Sequence, residues 1–300
     1  MRVLVTGAAG FAGLHLLHEL AVNGHETVAF DRAPASVPDT VSFHKGDLCD
    51  HKGLVRLLAE VKPDACIHLA ALSFVPDGNA DPASVFNINV IGTLHLLEAF
   101  RTHGPGARIL VVSTAHVYGT PAGSVPLTEA APLAPVTFYA ISKACADNLS
   151  LAYFRDYGMH VSTARPNNHI GPGQAPRFVI PSLAGQIKAG SGRHVRVGNM
   201  DSVRDFSDVR DVVRAYRLIL ERGQGGKAYN ISAQNFQRIG DIADRFCKMA
   251  GGGVELRKDP SLFRPTDTSP QLDTKRMETE IGWQPLIPFE QTLRNIWDSL

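Results

Sequence analysis

The chain has few cysteines, no excess of either charge and no long apolar run, and each shortage closes a class of function. Four cysteines, Cys49, Cys66, Cys145 and Cys247, are spread over 300 residues with no CxxC pair and no close histidine partner. That spacing excludes a disulfide framework and an ordinary thiolate zinc site. Lys+Arg number 30 and Asp+Glu 29, so the formal net charge is +1. A near-neutral chain lacks the electrostatic footprint of a nucleic-acid binder. No stretch approaches the ~18 apolar residues of a membrane span. The opening Met1-Arg2-Val3-Leu4-Val5 is too short for a signal peptide. Repeats, low-complexity tracts and long linkers are missing too. The expectation is a soluble, cytoplasmic globular chain that engages neither membrane nor nucleic acid. With 44% hydrophobic residues it can bury a core as one large domain or two moderate ones.

What is present is an alternation. Apolar, β-branched runs predict strands over 3–5, 27–30, 65–69, 108–113 and 160–164. Helical spacing falls between them over 14–21, 54–61, 87–100 and 138–157. Apolar strands alternating with helices predict an α/β, doubly wound parallel sheet covered on both faces. After Arg165 the character changes. Pro166, Gly171, Pro172, Gly173 and Pro176 mark an exit from the sheet. Helices are expected over 178–189 and 208–221, and a strand over 228–232 that rejoins the sheet. From Asn235 onward the pattern reads as short helices and proline-rich turns.

Gly7-Ala8-Ala9-Gly10-Phe11-Ala12-Gly13 lies between the first strand and the first helix. This GxxGxxG spacing is a variant of the Rossmann fingerprint. A tight turn, a bare backbone beside a pyrophosphate and close helix–strand packing each call for a residue without Cβ. The helix N-terminus then offers free N–H groups to phosphate. A plain glycine-rich turn is the alternative, and the strand before and helix after favour a dinucleotide site. Asp31 ends the second strand, where a carboxylate accepts from ribose hydroxyls and repels a 2′-phosphate. It favours NAD(H) over NADP(H), although the adjacent Arg32 offers a 2′-phosphate partner. Asp47-Leu48 either brings a carboxylate to the adenine edge or is a turn.

Tyr139 and Lys143 are four apart on a predicted helix and share a face. Ser113-Thr114 ends a strand at the carboxyl edge of the sheet, where ligands bind in such folds. Metal ligation is not expected. His15 and His18 have no third ligand in view and read as helix-surface residues.

Together, Gly7 to Gly13, His68-Leu69-Ala70-Ala71, Asn89-Val90-Ile91-Gly92-Thr93, Ser113 to Gly119 and Tyr139 to Lys143 resemble the extended short-chain dehydrogenase/reductase family. That family comprises nucleotide-sugar epimerases, dehydratases and reductases, and the resemblance covers essentially the whole chain. It implies that Tyr139 is the acid/base, that Lys143 binds the nicotinamide ribose and lowers the tyrosine pKa, and that Thr114 orients the reacting oxygen. A free tyrosine, with pKa ~10, needs such help to act near neutral pH. Cofactor contacts are implied at Gly7, Gly10, Phe11, Ala12, Gly13, Asp31, Arg32, Asp47, Leu48, Leu69, Ala70, Ala71 and Asn89.

The second half resembles the substrate segments of enzymes acting on GDP-sugars, above all bacterial reductases of GDP-4-keto-6-deoxy-mannose. The segment from Arg165 to Gln174 would place the Asn168 amide on the diphosphate or sugar. Arg204 and Arg264 would supply cations whose forks match phosphate oxygens, and Asp267 would reach the nucleotide ribose. Ser73, Thr114, His116, Arg177 and Val197 complete the implied substrate contacts. The implied division is a dinucleotide-binding domain over 1–168 plus 205–232 and a smaller, interleaved mixed α/β sugar-nucleotide lobe over 169–204 plus 233–300. A homodimer through the helices over 87–100 and 138–157 is also implied. One departure is informative: Ala115 and His116 stand where the family's 4,6-dehydratases carry an acidic residue. That argues for a reductase, with a 4-epimerase as the alternative. His116 itself is either a rim residue or an adjustment of substrate fit or proton supply.

Overall fold

Val, Ile and Ala runs make the central strands because both faces of those strands are covered. The computed structural model describes residues 1–33, 36–120, 125–190, 194–262 and 269–300. Its strands are β1 (Arg2–Thr6), β2 (Glu26–Asp31), β3 (Ser42–Lys45), β4 (Ala65–His68), β5 (Arg108–Val112), β6 (Val161–Pro166), β7 (Asn168–Ile170), β8 (His194–Val197), β9 (Val203–Asp208), β10 (Ala228–Ile231), β11 (Phe236–Arg238) and β12 (Glu255–Lys258). Its helices are α1 (Phe11–Val22), α2 (His51–Val61), α3 (Val75–Ala80), α4 (Pro82–Phe86), α5 (Gly92–His103), α6 (Phe138–Tyr157), α7 (Val179–Ala189), α8 (Val209–Arg222), α9 (Ile239–Met249) and α10 (Phe289–Asp298).

Seven strands form one parallel sheet in the order β10-β6-β5-β4-β1-β2-β3. This is the expected doubly wound, Rossmann-like sheet. Val3 and Val5 pack on one side with Leu16 and Leu17 of α1 and Val212 and Tyr216 of α8. Leu4 packs on the other with Leu54 and Leu58 of α2 and Leu96 and Phe100 of α5. Period-two alternation thus sends successive β1 side chains into two different cores. Each buried Leu or Val adds about 1.5–3 kcal/mol relative to exposure. The chain order reverses between β1 and β4, which opens a crevice at their carboxyl ends.

α6 has the bounds expected of it. Thr137 accepts from the Ala140 N–H at 3.1 Å to start it, and Gly158 ends it in the left-handed region. The helix expected over 87–100 begins earlier, at Pro82, and runs to His103 with a π turn at Asn87–Ile91. This stretch is long and apolar enough to cross a membrane by length and composition. The sequence shows no unbroken apolar run there because its apolar residues recur at helical spacing. It packs against α2 and α6.

The strand expected over 160–164 runs from Val161 to Pro166. Pro166 is the last β6 residue, paired with Ile231 of β10. Beyond it, β7, β9 and β11 form a three-stranded sheet and β8 and β12 a two-stranded one. The expected short helices and turns after Asn235 omitted β11 and β12. Both are short and largely polar, so neither carries an apolar period. A second core joins these pieces through Ile180, Val195, Phe206, Ile242, Phe246 and Leu293. α8 leaves that lobe and packs back on the main sheet.

Candidate active site

A cleft of about 660 Å³ opens at the carboxyl ends of the sheet strands and is walled by their loops and by residues of the second core such as Ile180 and Phe206. Gly7 adopts φ +71°, and a Cβ there would stand 2.7 Å from the Ala70 backbone nitrogen. A Cβ on Gly13 would stand 2.4 Å from the Gly7 carbonyl oxygen. The glycine turn therefore presses α1 against β1 and the loop after β4. Gly10 caps α1 with no side-chain hydrogen bond, so no side chain occupies the first-turn N–H groups beside the cleft. This bare backbone at a helix N-terminus fits the pyrophosphate of a dinucleotide. Phe11, Ala12, Leu69, Ala70 and Ala71 line the same wall.

Asp31 and Arg32 lie on the wall at the end of β2, with Asp47 and Leu48 after β3. The Asp31 carboxylate accepts from the Ala9 N–H at 3.0 Å and from the Arg32 N–H at 2.7 Å. It thus braces the glycine turn as well as facing the cleft, a role its sequence position did not reveal. Asp47 accepts from the Cys49 N–H at 2.9 Å, so it closes a turn and also lines the cleft.

Asn89 is placed differently from the other expected cofactor residues. It is buried behind the wall and does not line the cleft. Its amide accepts from the Leu72 N–H at 2.8 Å and donates to the Leu72 carbonyl at 3.1 Å and to Ser142 Oγ at 2.9 Å. Ser142 in turn donates to the Tyr139 carbonyl at 2.7 Å. Asn89 therefore fixes a wall loop and the catalytic helix to each other. Beneath it, Thr93 donates to the Asn89 carbonyl at 2.6 Å. The Thr93 oxygen is left to accept from His68 Nε2 at 3.0 Å, and Thr6 donates to His68 Nδ1 at 2.7 Å. Burial, with Lys143 nearby, pushes His68 down to about 3, so this linkage is neutral.

Thr114, Tyr139 and Lys143 converge on the wall. The Tyr139 and Thr114 side chains share a hydrogen bond. Thr114 Oγ1 also accepts from the His116 N–H at 3.3 Å, which starts the short helical turn Ala115–Tyr118. Burial pushes the Tyr139 phenol up to about 12, against a smaller lowering by Thr114. The expected lowering by Lys143 is not among the causes acting on Tyr139. Burial instead draws Lys143 itself down to about 8, opposed by Asp147 one turn along α6. Asp147 is held by Arg165 through bonds of 2.7 and 3.0 Å.

Ser73, His116, Asn168, Arg177, Val197 and Arg204 all line the cleft. Asn168 donates to Ser269 Oγ at 2.7 Å. Arg204 approaches Ser202 Oγ at 3.4 Å. Arg177 pairs with Asp77 at 3.0 Å and lies over the rings of Phe74 and Phe178. Arg264 and Asp267 lie outside the described residues. Sequence reasoning missed Phe74 and Phe178, which meet edge to face at 5.5 Å, and His169, stacked on Phe11. Their only signal was an aromatic ring beside a turn. His18 is exposed as expected, but His15 is not a plain surface residue: its Nε2 contacts the Pro172 carbonyl at 3.0 Å.

The sequence pattern of a family described as GDP-mannose 4,6 dehydratase matches residues 4–296. GDP-6-deoxy-D-mannose reductase of Pseudomonas aeruginosa is 37% identical over 307 residues, covering 99% of this chain and 97% of the relative. A solved structure of RMD from Pseudomonas aeruginosa complexed with NADPH superposes with a TM-score of 0.87 at 34% identity, covering 99% and 98% of the two chains. UDP-glucose 4-epimerase of Thermus thermophilus, in complex with NAD, gives 0.90 at 31% identity, covering 100% and 98%. With the parallel sheet, the glycine turn and the Thr114, Tyr139 and Lys143 constellation, these matches show that the chain belongs to the GDP-mannose 4,6 dehydratase family of extended short-chain dehydrogenases/reductases.

Proposed function

We propose that this chain reduces the 4-keto group of a GDP-linked 4-keto-6-deoxy-hexose with a reduced nicotinamide cofactor, giving a GDP-rhamnose-type product. The observation that carries the reading is a protonated Tyr139, hydrogen bonded to Thr114, on the wall that the glycine turn also lines. A reduced nicotinamide held in this cleft would supply the hydride for the keto carbon. The residues supply the rest. Tyr139 gives its proton to the developing alkoxide, and Thr114 orients that oxygen. Lys143 offers an ammonium to the nicotinamide ribose. Ala115 and His116 leave no carboxylate after Thr114 to assist an elimination. The likeness to a GDP-6-deoxy-D-mannose reductase supports the same substrate class. Arg204 and the Asn168 amide are suited to the diphosphate and sugar.

NAD(H) is the favoured cofactor because the Asp31 carboxylate lies at the end of β2, where it repels a 2′-phosphate. The solved relative with NADPH makes NADPH the direct competitor. A homodimer through the helix over 82–103 and α6 is supported by exposed Ile91 in the π turn before α5 and by exposed Phe138, Phe154 and Tyr157 of α6. The test is incubation with the keto sugar nucleotide and NADH or NADPH. Stoichiometric consumption of reduced cofactor, faster with NADH, is expected. No consumption with any keto sugar nucleotide overturns the reading. The fold likeness to a UDP-glucose 4-epimerase favours a second reading. Protein that purifies with tightly held NAD+ and shows no net redox would select it.

A further inference from the structure

Among the described residues, some of the buried polar atoms that lack a hydrogen-bond partner belong to the cleft and others, such as His51 Nε2 and His160 Nδ1, do not. Asn167 Oδ1, Gln174 Oε1 and Tyr216 Oη are buried without a hydrogen-bond partner, and all three residues line the cleft wall. The Gln174 residue is partly exposed, and the Asn167 amide nitrogen is already held by Asp205 at 2.9 Å and the Pro270 carbonyl at 3.0 Å. Tyr216 stands apart. It is 0% exposed and is the one residue of α8 on the wall. Its ring belongs to the core that holds Val5, Ala8 and Val112. A phenylalanine would fill that core without a polar atom to satisfy. A buried hydroxyl that nothing accepts or donates to is costly unless a ligand or a water completes it.

The position says which part of a ligand is in reach. α8 packs against α1 and, among the strands of the main sheet, against β4, β5, β6 and β10, of which β4, β5 and β6 lead to Ala70, Thr114 and Asn167. Tyr139 is near enough to act electrostatically on Tyr216. Tyr216 therefore belongs to the catalytic end of the cleft and not to the Asp31 end. Burial raises its pKa, so it remains an O–H donor through the working pH range. The uncharged acceptors at that end of a nicotinamide dinucleotide are the ribose oxygens, which ADP-ribose also carries, and the carboxamide oxygen, which it lacks.

We infer that Tyr216 is a further cofactor-binding residue, whose hydroxyl donates a hydrogen bond to the nicotinamide moiety. The inference rests on the cofactor reading given above. Its test is Tyr216→Phe, titrated with NADH or NADPH and with ADP-ribose, which lacks nicotinamide, alongside the melting temperature without ligand. The variant is expected to bind the dinucleotide about 3- to 10-fold more weakly, the loss of one hydrogen bond. ADP-ribose affinity is expected to be unchanged, and the ligand-free melting temperature equal or higher. Unchanged dinucleotide affinity overturns the inference, as does an equal loss for ADP-ribose. A lower ligand-free melting temperature also overturns it, because the hydroxyl would then have a partner within the protein. A wild-type protein that binds neither dinucleotide removes the cofactor reading itself.

Discussion

The two walls of the cleft are built by different means. The wall proposed to hold the cofactor is mostly backbone and small residues, pressed together by a sheet whose two faces are both buried. Asp31 on this wall is spent on holding the glycine turn, and Asn89 behind the wall on holding Leu72. The wall proposed to hold the substrate is lined by long side chains from short strands and loops, such as Arg204 on β9 and Arg177 before α7. Arg177 is held by an exposed pair with Asp77, which contributes little to stability. The first wall is rigid because the core enforces it. The second is replaceable, which suits a family that keeps one redox chemistry and varies the sugar nucleotide.

The largest break in this comparison comes from the residue that serves both walls. Tyr139→Phe keeps the ring and deletes the proton. We expect kcat to fall by about 10²- to 10⁴-fold, the usual worth of a positioned acid, with cofactor affinity nearly unchanged in a binding titration. Unchanged turnover would remove every catalytic role assigned here.

Next is the brace behind the cofactor wall. Asn89→Ala leaves the Leu72 N–H and the Leu72 carbonyl without their Asn89 partner, while the Ser142 hydroxyl keeps its bond to the Tyr139 carbonyl. Orphaned buried groups cost about 1–3 kcal/mol. Urea unfolding should show that loss, and cofactor affinity should fall with it because Leu72 is on the wall. A variant as stable as the parent would mean the loop is held by other contacts.

These two positions also show what the sequence could and could not reveal. The glycine turn, the strand alternation and the Tyr139–Lys143 spacing are local, so spacing alone exposes them. Asn89 was identified as a site residue, but its contacts reach Leu72 and Ser142, far away in the chain. Spacing carries no trace of such a link, and the implied direct contact became an indirect one. The same holds for His68, whose partners are Thr6 and Thr93. β11 and β12 escaped because strands of three and four mostly polar residues have no apolar period to read. On the substrate wall, Arg177 was legible as a cation, but its seat between two phenylalanines was not.

Charge sharpens the comparison next. Burial draws Lys143 down to about 8, while His68 is held near 3 and Tyr139 near 12. Lys143 is therefore the group of the three that titrates just above neutrality. It is an ammonium below that pH and a neutral amine above it. Cofactor affinity should fall as pH rises through about 8, approaching tenfold per unit where the charge is required. Asp147 opposes the lowering. Asp147→Asn should thus move the falling limb to lower pH, and a limb that stays in place would assign it to another group.

The smallest effect belongs to the substrate wall. Asp77→Ala removes the partner of Arg177 but leaves both phenylalanine rings beneath the guanidinium. Both charges of this pair are more than half exposed, so solvent screens their attraction and stability should move by less than about 1 kcal/mol. If Arg177 serves the substrate diphosphate, freeing it from Asp77 should lower KM by a few fold with kcat unchanged, because Asp77 competes with phosphate for the same fork. If the pair instead holds the two lobes in register, KM should rise and salt should reproduce the rise in the parent. Measuring KM against ionic strength for parent and variant decides whether this wall is a binding surface or a clasp.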